Sequence, residues 1–432
     1  MAPPDSPKNI VIIGGGIIGS TSAYFLSHHP SYNPATTKIT ILEASSIASG
    51  ASGKAGGLLG LWAYPSCLVP LSYRLHKELA DKHNGAERWG YRAVHCGQLE
   101  AKGRPIDKTS GGVKGARDVV GVADEKGNDS VSLQKRTQDA IGLLRAAGVP
   151  KDLDWVIANG VREYQAMGDP SDTAQVHPYH FTTSMADLAQ EKGVEVVYGS
   201  VTAINRTGSK GHETVESVTY TPKDSPTTET ATLPADTVIL SAGPWTRSLW
   251  PKAPISALRA HSVTIRPSRP VSAYALFTSI ELPKSSTASS NGSNKKRHTT
   301  ETATPEIYAR PNNEVYACGD GDTTVPLPAL SSDVRVDQSR CDDIVAQVSA
   351  ISDELRDGEV TARQACYLPN VAAGGGPIVG KVPGVEGLVM AAGHTCWGIQ
   401  NGPGTGKCVA EIVWDGKVKS ADLRSLEPGR WL

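Results

Sequence analysis

Glycines at positions 14, 16 and 19 follow the β-branched run Ile10-Val11-Ile12-Ile13 and lead into a helical stretch, Ser20 to Ser27. Residue types in this order suit one task, the holding of a pyrophosphate. Gly14 makes the tight turn, Gly16 lets backbone N–H groups approach the phosphates where Ile17 and Ile18 begin the helix, and Gly19 allows close helix packing. A second strand, Lys38 to Leu42, ends on Glu43 and Ala44, and a carboxylate there accepts both hydroxyls of a ribose. The spacing from Gly19 to Glu43 exceeds the usual ~20 residues because the loop from His28 to Thr37 is long. The pattern reads as a dinucleotide cradle, with a glycine-rich structural turn as its alternative.

Several elements are expected to carry the chain past this cradle. The segment Ala48 to Leu59 is built of small residues, and Ser52, Gly53, Gly56, Gly57 and Leu58 should pass close beside a planar ligand, with Lys54 the nearest charge. A helix over Thr182 to Lys192 leads to the strand Val194 to Tyr198, with Val201 just beyond it. The run from Ala235 to Trp245 reads as a buried strand ending in a turn at Ala242, Gly243 and Trp245. Gly387 to His394 is a further buried strand, and Gly402 to Trp414 a helix opened by glycines. From about 256 to 364 alternating strands prevail, among them Ser262 to Arg266, Tyr274 to Thr278 and Glu314 to Cys318, which predicts an antiparallel sheet in a second domain. Residues 103–135 read as a surface excursion before a helical pattern near Thr137 to Ala147, and 284–304 as a solvated, mobile insertion.

Composition bounds the function. A chain of 432 residues implies two or three domains. With 43 basic and 44 acidic residues, no global field draws it to nucleic acid or anionic lipid, and Lys295-Lys296-Arg297 lacks the interleaved aromatics of a nucleic-acid patch. The 7 cysteines show no CxxC pairing and read as reduced thiols. No apolar run reaches membrane length and the first strand begins too early for a cleavable signal, so a cytoplasmic protein without a membrane span is expected.

Together, the cradle, Glu43, Ser52 to Gly57, Ser241 to Trp245, Gly376-Pro377-Ile378-Val379-Gly380, and Gly393-His394 through Gly406 resemble the D-amino-acid oxidase, glycine oxidase and sarcosine oxidase family of FAD-dependent amine oxidoreductases, within which the chain looks like a fungal subgroup. The resemblance implies an α/β plus α+β fold. A Rossmann-type FAD domain is assigned residues 1–90, 155–250 and 365–432, and a substrate domain with an antiparallel sheet is assigned 91–154 and 251–364. It implies that Gly393, His394, Trp397, Gly398, Ile399 and Gln400 lie at the flavin end, where the helix N-terminus expected at Gly402 to Gly406 would stabilise charge on a reduced ring.

The implied reaction is oxidation of a primary or secondary amine by hydride transfer to flavin N5, with dioxygen or another electron acceptor taking up the electrons. A flavin-binding regulatory protein without turnover is the alternative from another class; an NAD enzyme would match the first glycines but not the C-terminal ones. Cys366 resembles the cysteine that sarcosine-oxidase-like members join covalently to flavin, but the family's aspartate after the proline is missing, so FAD held noncovalently beside a buried thiol is expected. Arg310, then Arg363, would hold a substrate carboxylate bidentately or else form a surface ion pair. Gln400 stands where sarcosine-type members carry a lysine. His261 either points into the cleft or is a core histidine, and Lys54 either faces ligand or solvent.

Overall fold

A computed structural model describes residues 9–105, 145–223, 229–283, 300–372 and 374–432. Its first layer is a nine-stranded sheet with a parallel centre. Asn9–Ile13 lies between Lys38–Glu43 and Thr237–Leu240; Leu388–Ala392 follows Thr237–Leu240, and Glu195–Ser209 flanks Lys38–Glu43. These central strands are near-continuous apolar runs because both faces are covered. Ile10, Ile12, Ile39, Ile41 and Ile239 point toward the helices Ile17–Ser27, Val69–His83, Pro178–Gln190 and Gly398–Trp414. Val11, Ile13, Leu42, Val238 and Leu240 point the other way, where Val215 and Val218 of the antiparallel strand His212–Pro222 pack on them.

The second layer is an eight-stranded, mainly antiparallel sheet. Its order runs Glu359–Val371, Ile255–Arg266, Glu314–Cys318, Glu306–Arg310, Tyr274–Pro283, His95–Lys102 and Val161–Gly168, with Thr300–Ala303 also on Tyr274–Pro283. One pair, His95–Lys102 with Tyr274–Pro283, is parallel. The alternation of its strands divides the faces. Val263, Ile265, Ile307, Val315 and Ala317 pack with Cys341, Ile344 and Val348 of the helix Gln338–Ser349. Tyr308, Tyr316 and Ala275 pack with Leu58, and face the nucleotide layer.

The α/β plus antiparallel architecture is the one expected, with three local differences. Val161–Gly168 pairs with His95–Lys102, and Glu359–Val371 runs across residue 365, so hydrogen bonding places 161–168 and 359–364 in one sheet with residues on both sides of the expected borders. Thr300–Ala303, at the end of the expected insertion, is a strand paired to Ile280–Pro283; residues 284–299, most of the 103–135 excursion and most of the 137–147 helix lie outside the described residues. The C-terminal helix begins at Gly398 and not at Gly402.

That last difference has a packing origin. Gly402, Gly404 and Gly406 are buried inside the helix, where a Cβ at 402 would meet Ile17 Cγ1 at 2.6 Å and one at 406 would meet the Thr21 carbonyl carbon at 2.6 Å. The glycines let this helix lie against Ile17–Ser27, and Thr21 Oγ1 donates to Gly402 O across the contact at 2.8 Å. Pro403 has no N–H to give Ile399 O; the His76 ring fills that role, with Nε2 2.9 Å from the carbonyl. Among the described residues no helix is long and apolar enough to cross a membrane.

Candidate active site

Two helix N-termini open on one cavity of about 440 Å³. The first belongs to Ile17–Ser27. Gly14 takes φ +103°, a conformation that favours glycine, and a Cβ on Gly19 would overlap Gly14 O. Ile17 N–H donates to Ser52 Oγ at 2.9 Å, so Ser52 stands on the free end of this helix. The second N-terminus belongs to Gly398–Trp414, and Gly398 and Ile399 line the same cavity.

Between them the wall is built from strand ends. Glu43, closing Lys38–Glu43, is buried; its Oε2 accepts from Gly15 N–H at 2.7 Å and its Oε1 from Ser45 N–H at 2.8 Å. Burial raises the Glu43 pKa and these two donors oppose the rise. Ala44, Val201, Ala242, Gly243 and Trp245 complete this end, and Gly393 and His394 the other. His394 Nε2 lies 2.9 Å from Thr405 Oγ1, and burial lowers its pKa to about 3, so the ring is neutral. Leu368 and Pro369 bring the second sheet to the cavity. Segment 327–331 closes it from outside: Trp245 Nε1 donates to Pro328 O at 2.7 Å, Tyr367 Oη to Pro326 O at 3.0 Å, and Ser49 Oγ lies 2.6 Å from Ser331 Oγ.

The remaining expected residues lie off this wall. Gly53, Gly56 and Gly57 meet protein: a Cβ on Gly56 would strike the Tyr308 ring, and the other two would strike Ala48 O and Val176 O. Leu58 packs in the aromatic cluster under the second sheet. Cys366 is buried, and burial pushes its thiol up to about 11. Lys54 lies close enough to Cys366 for their charges to interact and donates to Ala365 O at 3.0 Å; burial lowers its pKa. Gln400 is fully buried, accepting from Gly60 N–H at 2.9 Å, while its Nε2 has no partner among the described residues. Trp397 precedes the C-terminal helix and stands edge-on to Trp62 and Tyr64.

Three expected residues are tied into the protein. Arg310 is 6% exposed. Its guanidinium donates to Glu314 at 2.9 Å, to Ala55 O at 2.5 Å and to Gly56 O, and lies over Tyr316. It holds segment 55–56 to the second sheet. His261 faces the helix Gln338–Ser349, accepting the Asp337 N–H at 3.1 Å on Nε2, and burial lowers its pKa. Arg363 pairs with exposed Asp342.

The residues at the cavity fit FAD. A glycine cradle at one helix N-terminus, a buried carboxylate at the end of the adjacent strand, and a second N-terminus at Gly398 and Ile399 offer donors and acceptors along one trough. The family model for FAD-dependent oxidoreductases (DAO) matches residues 9–412, and the chain belongs to that family. It is 35% identical to "Putative oxidoreductase TDA3" of Saccharomyces cerevisiae over 98% of this chain and 95% of that protein. It is also 35% identical to "Putative oxidoreductase C1F5.03c" of Schizosaccharomyces pombe over 98% of each. Among solved structures, glycine oxidase from Geobacillus kaustophilus has the same fold, with TM-score 0.65 at 20% identity over 98% of this chain and 100% of that one.

Sequence reasoning passed over Glu306 and Tyr316, which share one face of the second sheet with Tyr308, and the 327–331 cover. The apolar, proline-bearing stretch Val325 to Leu330 between polar segments was the available signal for the cover.

Proposed function

We propose that this FAD-dependent oxidoreductase oxidises a primary or secondary amine of amino-acid-like size by hydride transfer to flavin N5, with dioxygen as acceptor, yielding an imine and hydrogen peroxide. The observation that carries the reading is the continuity of the trough: the cavity that begins at the glycine cradle ends against Leu368 and Pro369 of the antiparallel sheet. FAD, when bound, supplies the two-electron acceptor for an amine C–H bond; the protein's work is orientation and electrostatics.

In this reading the amides at Gly16 to Ile18 and Ser52 hold the pyrophosphate, Glu43 the ribose, and the Gly398 helix end the electron-rich edge of the ring. Val201, Ala242, Gly243, Trp245 and the 327–331 segment keep water from the cofactor. Lys54 has one carbonyl acceptor, so two N–H groups remain for a substrate carboxylate. The cofactor is held noncovalently, because a thiol with its pKa raised by burial is a neutral, poor nucleophile at Cys366. Neighbours in fold that bear the name glycine oxidase agree with this substrate size.

The test is a panel of primary and secondary amines incubated with FAD-loaded protein, with peroxide and the reduction of an artificial electron-accepting dye measured in parallel. Peroxide from an amine supports the reading. Dye reduction without peroxide replaces oxidase by dehydrogenase, and no turnover with either acceptor refutes amine oxidation.

A further inference from the structure

The second sheet presents a carboxylate to the cavity side that nothing in the reading above uses. In its ladders Glu306 lies opposite Cys318 on one neighbour and Phe277 on the other, while Tyr308 lies opposite Tyr316. Strand alternation therefore puts Glu306, Tyr308, Tyr316 and Cys318 on one face. That face meets the segment leading from the cavity: Tyr308 covers Gly56, next to cavity-lining Ala55, and Phe277 stands edge-on to Trp62. Trp62 in turn meets Trp397, the residue before the cavity-lining Gly398.

The Glu306 carboxylate is half-satisfied. Tyr308 Oη donates to Oε2 and the Cys318 thiol lies 3.8 Å from the same oxygen. Among the described residues no donor reaches Oε1 and no cation lies within ion-pair distance of the carboxylate. Of the cations near this face, Arg310 is engaged by Glu314 and the carbonyls of 55 and 56, and Lys54, bonded to Ala365 O, makes no ion pair with Glu306 among the described residues. Glu306 is half-buried, and this partial loss of water without a counter-charge raises its pKa. Trp62, Phe277 and Cys318 around it remain partly open to solvent, so a small ligand has access.

We propose that Glu306 is an ammonium-binding residue: its free Oε1 takes the charged nitrogen of the amine substrate beside the Phe277 ring and then accepts one N–H proton, leaving the neutral amine from which the C–H hydride departs. This rests on the reading of the protein as an amine oxidoreductase and names the group that holds the amine. A carboxylate framed by aromatic rings is selective for a cation over a neutral isostere of equal size.

The experiment is calorimetric titration of the FAD-loaded full chain with n-butylammonium chloride and, separately, with 1-butanol. Saturable binding of butylammonium, no binding of butanol, and a loss of about ten- to a hundredfold in affinity for Glu306→Gln are expected, from the size of charge-assisted hydrogen bonds. Glu306→Asp should recover part of the loss, and Tyr308→Phe, which frees Oε2, should tighten binding. Glu306→Gln binding within twofold of wild type overturns the proposal, as does equal binding of the alcohol or no butylammonium binding. The outcome separates from that of the peroxide assay. Turnover with a KM indifferent to Glu306 refutes this site alone, and Glu306-dependent butylammonium binding in a protein that oxidises no amine supports the site while refuting the reaction.

Discussion

Replacing Gly406 by alanine should separate the two helices whose N-termini frame the cavity. The added methyl would stand 2.6 Å from the Thr21 carbonyl carbon and 2.8 Å from Ser22 N, both backbone atoms that cannot swing aside. Comfortable carbon contacts lie near ~3.5–4.0 Å, so the axes must part by about 1 Å. Overpacking of this kind costs about 1–3 kcal/mol. The parting also stretches the 2.8 Å contact from Thr21 Oγ1 to Gly402 O, at little further cost because the hydroxyl keeps Ile17 O of its own helix as an acceptor at 2.7 Å. Better helix propensity of alanine offsets about 1 kcal/mol. A net destabilisation of up to about 2 kcal/mol is expected in urea unfolding of the flavin-free protein, together with weaker FAD binding. Gly398→Ala is the matched control: its methyl meets nothing nearer than 3.7 Å, so stability should hold or rise slightly. A Gly406→Ala protein that unfolds at or above the wild-type urea concentration would refute the packing argument.

Acid should weaken the fold through its buried histidines. Burial lowers His76 to about 4 and His394 to about 3, so the unfolded chain takes up protons first as pH falls below the ordinary 6.5, and stability drops with pH across that window. Each contributes a loss of about 2 kcal/mol between pH 6.5 and 5. His76→Gln keeps a donor for Ile399 O and should flatten the slope of urea midpoint against pH, whereas equal slopes would count against the assignment. Trp245→Phe removes the bond to Pro328 O and should speed FAD release by about two- to tenfold in a fluorescence chase; an unchanged rate would show that the cover does not retain the cofactor. On acid precipitation the flavin should appear in the supernatant, and Cys366→Ser should leave its yield unchanged; colour fixed in the wild-type pellet and lost in the variant would establish a covalent link.

The nucleotide half was legible because its signals are local. Gly14, Gly16 and Gly19 sit within one strand-turn-helix unit, and the packing that requires Gly19 is against Gly14 itself. The C-terminal glycines were legible as a motif but misread in mechanism. Glycine and proline at 402–406 ordinarily mark a helix start, and only the distant partners Ile17, Thr21 and His76 show why they stand inside one. Arg310 illustrates the opposite difficulty. Its identity suited a carboxylate, but its partners Ala55, Gly56 and Glu314 are set by sheet pairing and by how segment 55–56 docks. Glu306 was invisible for the same reason, since its environment is made by three strands at once.

The seating of Ile17–Ser27 against Gly398–Trp414 also fixes when in its life the protein can become yellow. On a ribosome the cradle emerges well before the strand Leu388–Ala392 and the helix that complete the trough. Until then the first helix has the sheet and Pro178–Gln190 beside it but not the helix that seats against Thr21, and the flavin end of the site does not exist. Domains fold as their residues become available, so cofactor capture belongs to the interval after the late strand and helix have emerged. At that moment free FAD competes directly with misfolding by mass action. The yield of folded protein in a cell is therefore expected to track flavin supply during synthesis, and a shortage then is felt as lost protein as well as lost activity.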